Sequence, residues 1–329
     1  MEQEEHVAQR SGSGFRWLVL LTVLTTYSLV VLGGIVRATE SGDACPDWPR
    51  CRGELIPPFE TAVMIEFSHR LLASVVGFLV LALVIVAWRT MRNNPTISWG
   101  SALALVLVIA QAVLGGMTVL SDLSANLVMA HLALASAVLA LLVFLAMSVW
   151  IPDRPVTQRR QASTSFRNLT LVTAIATFAL MLTGSFVVGS GAGLAFRDWP
   201  LFDGQLMPSG GRLAMIHATH RLVAGTIGLL IGYVALQAWR TQRHDQVLVI
   251  GSLFAFGLVM LQALVGAVNV WRMLQPAAMA SHLALAVLLW TALVMVTLLA
   301  HRSAEGSLPH LSRTGGPFAP PEALEAQGT

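Results

Sequence analysis

Eight continuous apolar stretches, at about 17–36, 64–87, 99–119, 127–149, 168–188, 215–238, 250–270 and 278–300, dominate the chain. A helix rising 1.5 Å per residue needs about 20 residues to cross a hydrocarbon core of ~30 Å, and each stretch supplies them. In hydrocarbon every backbone N–H and C=O must find its partner inside the protein, so such runs can only be helices or strands of a closed barrel. The runs are unbroken and rich in Leu and Ala instead of alternating, which argues against a barrel. Composition agrees. Charged residues make up 11% of the chain, against about 25% in a soluble domain, and the mean hydropathy is +0.70. These values exclude a soluble enzyme, a disordered chain and a small disulfide-scaffolded domain. The expected fold is an all-α integral membrane protein with eight transmembrane helices. The first stretch has full spanning length and no A-x-A-like site follows it, so it reads as a span and not as a cleaved signal peptide.

All 20 basic residues are Arg, and the net charge is +3. Twelve arginines fall in the N-terminal flank, the 2–3, 4–5 and 6–7 loops and the C-terminal tail: Arg10, Arg16, Arg89, Arg92, Arg154, Arg159, Arg160, Arg167, Arg240, Arg243, Arg302 and Arg313. Six lie on the other side: Arg37, Arg50, Arg52, Arg197, Arg212 and Arg272. By the positive-inside rule both termini are expected in the cytoplasm of a bacterial-type cell (inner) membrane. Arginines scattered through short loops are topology signals, and no nucleic-acid partner is expected. The segment from about Ser303 is rich in Pro, Gly and Ser and reads as disordered.

The two halves align without gaps at an offset of 151 residues. Asp47-Trp48-Pro49 falls on Asp198-Trp199-Pro200, His69-Arg70-Leu71 on His220-Arg221-Leu222, Gln111-Ala112 on Gln262-Ala263, and His131-Leu132-Ala133 on His282-Leu283-Ala284. Each half holds four spans, so both run in the same sense through the membrane. The expected organisation is a cytoplasmic N-terminal tail (1–16), a four-helix bundle (17–150), a cytoplasmic linker (151–167), a second four-helix bundle (168–300) and a cytoplasmic tail (301–329).

Of nine histidines, five lie within spans: His69, His131, His217, His220 and His282. An ionisable side chain inside a span is rare and points to function. His69 and His131 each stand about five residues into spans running inward from the outer side, roughly 7 Å below the boundary. Two histidines at one level on two helices can grip both faces of a flat ring, which is bis-histidine heme ligation. His220 and His282 form the matching pair. The alternative is hydrogen bonding across helix interfaces. Zinc would be left with an incomplete shell by two histidines, and two cysteines are too few for a cysteine-ligated cluster.

These features resemble a known family. The run Gly33-Gly34-Ile35-Val36-Arg37, the loop Cys45-Pro46-Asp47-Trp48-Pro49-Arg50-Cys51, the motifs Glu66-Phe67-Ser68-His69-Arg70 and His217-Ala218-Thr219-His220-Arg221, and the His-Leu-Ala-Leu-Ala starts at His131 and His282 are similar to those of the heme A synthase family. The resemblance spans roughly residues 17–300. It implies an oxidoreductase converting the C8 methyl group of heme O to the formyl group of heme A, for heme-copper terminal oxidases. It also implies a C-terminal half holding heme b through His220 and His282, and an N-terminal half binding substrate heme O through His69 and His131. Candidate partners are the heme O synthase, an electron-transfer protein and a second copy of the chain.

The halves differ at defined positions. Glu66 stands one helical turn before His69, and the matching residue is His217. A desolvated carboxylate can take protons or stabilise positive charge during methyl oxidation, and this placement matches the family's essential acid. A helix-end anion favoured by the dipole is the alternative. Cys45 and Cys51 have the counterparts Phe196 and Phe202. On an oxidising outer side a disulfide is expected, either as a staple or as a redox pair. Arg70 and Arg221 can turn to heme propionates or to loop acids, and Arg37 to propionates or the interface. Trp48 and Trp199 fit an interfacial belt or a heme contact. Gly33, Gly34, Gly115 and Gly116 are expected to permit close helix packing. Two other functions remain open: a di-heme b electron-carrier cytochrome, and a heme transporter or chaperone.

Overall fold

The structure, a computed structural model, describes residues 2–54, 56–151 and 162–302. Eight α-helices follow one another: α1 (Glu2–Ala38), α2 (Thr61–Thr90), α3 (Pro95–Leu120), α4 (Ala125–Trp150), α5 (Thr164–Gly189), α6 (Arg212–Thr241), α7 (Gln246–Trp271) and α8 (Pro276–Arg302), with a short 3₁₀ turn at Ala192–Leu194. All eight are long and apolar enough to cross a membrane, and no strand occurs among the described residues.

The helices run a few residues past the apolar stretches, and at α3, α5 and α7 a polar side chain caps the extension. Asn94 Oδ1 accepts from the Ile97 amide ahead of Pro95 at the first helical position, Ser163 Oγ from Phe166, and Asp245 Oδ1 from Val247 and Leu248. Each cap satisfies amides that would otherwise lack a partner. Helix α1 continues ahead of the first apolar stretch back to Glu2. The linker is shortened by the start of α5 at Thr164, and His301 and Arg302 belong to α8. Linker residues 152–161 with Arg154, Arg159 and Arg160, and the tail 303–329 with His310 and Arg313, lie outside the described residues.

Helices α1–α4 pack in a ring, α1 on α2 and α4 and α3 on α2 and α4, and α5–α8 do the same. Val76, Val80, Ala104, Val138 and Leu142 lie in the buried centre of the first ring. Ile227, Ile231, Ala255, Leu289 and Leu293, each 151 residues on, lie in the second. A third apolar cluster, with Val30, Leu139, Val143, Met181, Val287 and Trp290, forms the seam where α1 and α4 meet α5 and α8. Apolar matching alone drives little association between helices in lipid, so close approach and hydrogen bonds must contribute. At the seam a Cβ on Gly34 would fall 2.6 Å from Leu283, and one on Gly189 2.6 Å from the Ala125 Cβ. Tyr27 donates from α1 to the Ala284 carbonyl on α8 (3.1 Å), and Arg302 donates to the Met147 carbonyl and Ser148 hydroxyl at the end of α4.

Candidate functional site

Each intramembrane histidine of the two pairs projects from one helix onto a glycine of the next. A Cβ on Gly33 of α1 would lie 3.1 Å from His69 Cε1, and one on Gly115 of α3 would lie 2.9 Å from His131 Cε1. The distances are 3.1 Å from Gly184 of α5 to His220 Cε1 and 3.2 Å from Gly266 of α7 to His282 Cε1. Gly33 and Gly115 therefore make room for imidazole rings and not for neighbouring backbone. Gly34 meets Leu283, and Gly116 lies under the Trp48 indole, 2.8 Å from where its Cβ would stand. Gln111 Nε2 donates to the His131 carbonyl and Gln262 Nε2 to the His282 carbonyl, each at 3.0 Å. These glutamines fix the backbone at both histidines. The sequence displayed them only as a repeated dipeptide.

The helices begin earlier than the apolar stretches, which deepens the histidines. His69 and His220 stand eight residues after Thr61 and Arg212, and His131 and His282 six after Ala125 and Pro276. The rise of 1.5 Å per residue places them about 12 and 9 Å along their helices.

The donor set can be tested against a heme. Nδ1 of His69, His131 and His282 is buried without a hydrogen-bond partner among the described residues, so Nε2 is the ring nitrogen open to a ligand. Two imidazoles per site suit heme iron, whose ring already fills four positions. No group of three or more His, Cys, Asp or Glu able to hold a bare metal ion occurs among the described residues. His217 does not compete with His220 as a ligand through Nε2, because that nitrogen accepts from Arg221 Nε at 3.0 Å.

Glu66 is 4% exposed. Its Oε1 accepts from Arg70 Nε at 2.8 Å, and no hydrogen bond to Oε2 forms among the described residues. The same guanidinium donates to the carbonyls of Cys45 (2.7 Å), Asp47 (2.7 Å) and Arg50 (2.6 Å). Four of its five N–H groups are thus engaged by Glu66 and the loop between α1 and α2. Arg221 repeats the arrangement with His217 and the carbonyls of Leu201 (2.9 Å) and Phe196 (3.3 Å). Both arginines are therefore committed to their loops. Arg37 lies half-buried in the last turn of α1.

Cys45 and Cys51 form a disulfide with their Cα atoms 4.7 Å apart. At the matching place Phe196 and Phe202 meet edge to face with centroids 5.0 Å apart. Each loop turns around an aspartate. Asp47 accepts from the amides of Arg52 and Gly53, and Asp198 from those of Asp203 and Gly204. These bonds, led by the glycine amide in each loop, hold both carboxyls below the usual range. Trp199 packs edge-on against Trp271.

Comparison with known proteins agrees with this geometry. The family described as "Cytochrome oxidase assembly protein" matches residues 16–63, 58–219 and 212–317. The chain is 30% identical to the heme A synthase of Shouchella clausii over 77% of its own length and 85% of that protein. It is 31% identical to that of Alkalihalophilus pseudofirmus over 76% and 86%, and 28% identical to that of Lysinibacillus sphaericus over 88% and 95%. Eight helices, four glycine-seated histidines and a match running from residue 16 to 317 lead to one conclusion: the chain belongs to the heme A synthase family of cytochrome oxidase assembly proteins.

Proposed function

We propose that the chain is a multi-pass cell-membrane enzyme that oxidises the C8 methyl group of heme O to the formyl group of heme A. The N-terminal bundle (17–150) binds heme O between His69 and His131. The C-terminal bundle (168–300) holds heme b between His220 and His282, and both termini face the cytoplasm. When bound, heme b supplies one-electron redox chemistry. The remaining work falls to side chains of this chain. His69 and His131 orient the substrate ring, with Gly33 and Gly115 setting how closely each imidazole backs onto its neighbouring helix. Converting a methyl to an aldehyde removes four electrons and four protons and installs one oxygen atom from water, so an external electron acceptor takes the electrons and a base must take the protons. Glu66 accepts them or stabilises the positive charge that develops, with Arg70 holding Oε1 and leaving Oε2 unbonded.

The observation that carries this reading is the buried carboxylate beside only one of two otherwise matched histidine pairs. An electron carrier needs two permanent hemes and no acid, and a heme chaperone needs no acid either. Extracting the hemes of the purified protein tests it. Heme b together with heme O, its alcohol or heme A is expected, and heme b alone would indicate the carrier. His220→Ala or His282→Ala should deplete heme b, whereas His69→Ala should leave heme b bound and abolish conversion. Equal loss of heme b from both kinds of variant would sink the division of labour.

A further inference from the structure

The four histidine rings rest on four glycines, and the residues preceding those glycines are Leu32, Leu114, Thr183 and Val265. Only one of the four is polar. Thr183 Oγ1 lies 3.0 Å from His220 Nδ1 and 2.7 Å from the Leu180 carbonyl oxygen. A hydroxyl has a single hydrogen. The carbonyl can only accept, so it takes that hydrogen, and the remaining contact is donation from His220 Nδ1–H to a lone pair of Oγ1. The bond fixes the ring as its Nδ1–H tautomer and leaves the Nε2 lone pair free. Among the described residues nothing equivalent occurs at His69, His131 or His282, whose Nδ1 atoms are buried without a partner there.

We propose that the Thr183–His220 hydrogen bond makes His220 a lasting iron ligand and marks the C-terminal heme as the resident one, while Leu32 in the matching seat leaves His69 an exchangeable ligand. This rests on the assignment of His220 and His282 to heme b and of His69 and His131 to heme O. A hydrogen bond from the non-ligating ring nitrogen raises the basicity of the ligating one and locks its orientation. A more basic imidazole holds iron more tightly and favours its oxidised state. A substrate site has the opposite requirement, because heme A must leave after each conversion. Thr183 acts through His220 and is a positioning residue. Its other bond, to a carbonyl three residues back in its own helix, is common for threonine and would by itself be structural. The bond that crosses from α5 to α6 is the one that reaches the iron ligand.

The test is Thr183→Val in the purified full-length protein. This variant keeps the side-chain shape and removes the acceptor. The midpoint potential of heme b should rise and its low-spin electron paramagnetic resonance signal should shift. Transfer of heme b to apomyoglobin should quicken by about 10–100-fold, the range typical of losing such a partner. Thr183→Ser should restore all three properties. Unchanged potential, signal and transfer rate in Thr183→Val would overturn the proposal. Should that variant fail to accumulate, Leu32→Thr decides, because a hydroxyl beside His69 should slow release of heme A, and an unaltered rate would overturn it. Full retention of heme b in His220→Ala would instead overturn the assignment of the two sites.

Discussion

The N-terminal ends of α2 and α6 are built on one plan and filled with different chemistry. In both, an arginine directly after a candidate iron ligand bonds a residue one turn back and reaches up to loop carbonyls. In both, an aspartate gathers two loop amides. Around that plan the first end carries Glu66 and the Cys45–Cys51 disulfide. The second carries His217 and the Phe196–Phe202 pair, with the Arg221 guanidinium 5.7 and 5.6 Å from the two ring centroids. The second end shows that the plan works without an acid and without a disulfide. Neither Glu66 nor the cystine is therefore required to fasten such a loop, and the acid needs another explanation.

The largest effect expected from breaking this comparison is at Glu66. Glu66→Gln keeps an oxygen to accept from Arg70 and loses the ability to take a proton. Heme A formed per resident heme b should fall by about 10²-fold or more, as for loss of a general acid/base, with heme b content near normal. Glu66→His copies the arrangement already folded at His217 and should fall as far. If Glu66 only complements the helix dipole, Gln would cost about 0.3–1 kcal/mol of stability and leave activity largely intact. A yield close to wild type in membranes of the Gln variant would remove it from the chemistry.

A smaller effect separates the disulfide from the aromatic pair. Closing a loop this short contributes about 2 kcal/mol by chain entropy. Cys45→Ser with Cys51→Ser, or reduction from outside, should raise hydrogen exchange of the first loop's amides by about 30-fold or less. The Phe196–Phe202 loop should not respond to reductant. A membrane-impermeant thiol reagent should label the cysteines only after reduction. Labelling of untreated oxidised membranes would contradict the disulfide.

The smallest effect is one the two ends share. Asp47 and Asp198 have lowered pKa values, led by the amides of Gly53 and Gly204. Their contribution is complete above the ordinary carboxylate range and is lost as pH falls through the lowered values. Both loops should loosen together on strong acidification, read as faster exchange at Gly53 and Gly204 after correction for intrinsic rates. Asp47→Asn should erase the pH dependence in its own loop alone. Dependence that survives in that variant would place its origin elsewhere.

The eight helices were legible because hydropathy and length in a membrane leave few alternatives. Their ends were less so, since Asn94, Ser163 and Asp245 extend helices by polar capping that an apolar run does not register. The histidine pairs stood out as ionisable residues in spans repeated at a fixed offset. Gly33 and Gly115 were visible as small residues, but one-dimensional spacing does not distinguish room for a helix backbone from room for an imidazole. Arg70 was legible as a cation beside a ligand. Its destination was not, because three of its four partners are backbone carbonyls, which carry no residue-type signal. Thr183 was hidden for a related reason. A threonine in an apolar helix ordinarily bonds its own backbone, and only the fold brings His220 alongside.

One guanidinium joins Glu66 to the loop that carries the disulfide, and thermodynamic reciprocity follows. Proton occupancy at Glu66 and displacement of the loop share a partner, so they are two variables of a single equilibrium. Whatever free energy a proton on Glu66 withdraws from the hold on the loop, moving the loop must return to the proton equilibrium in equal measure. A probe placed on the loop between α1 and α2 would therefore report each change in the charge of Glu66.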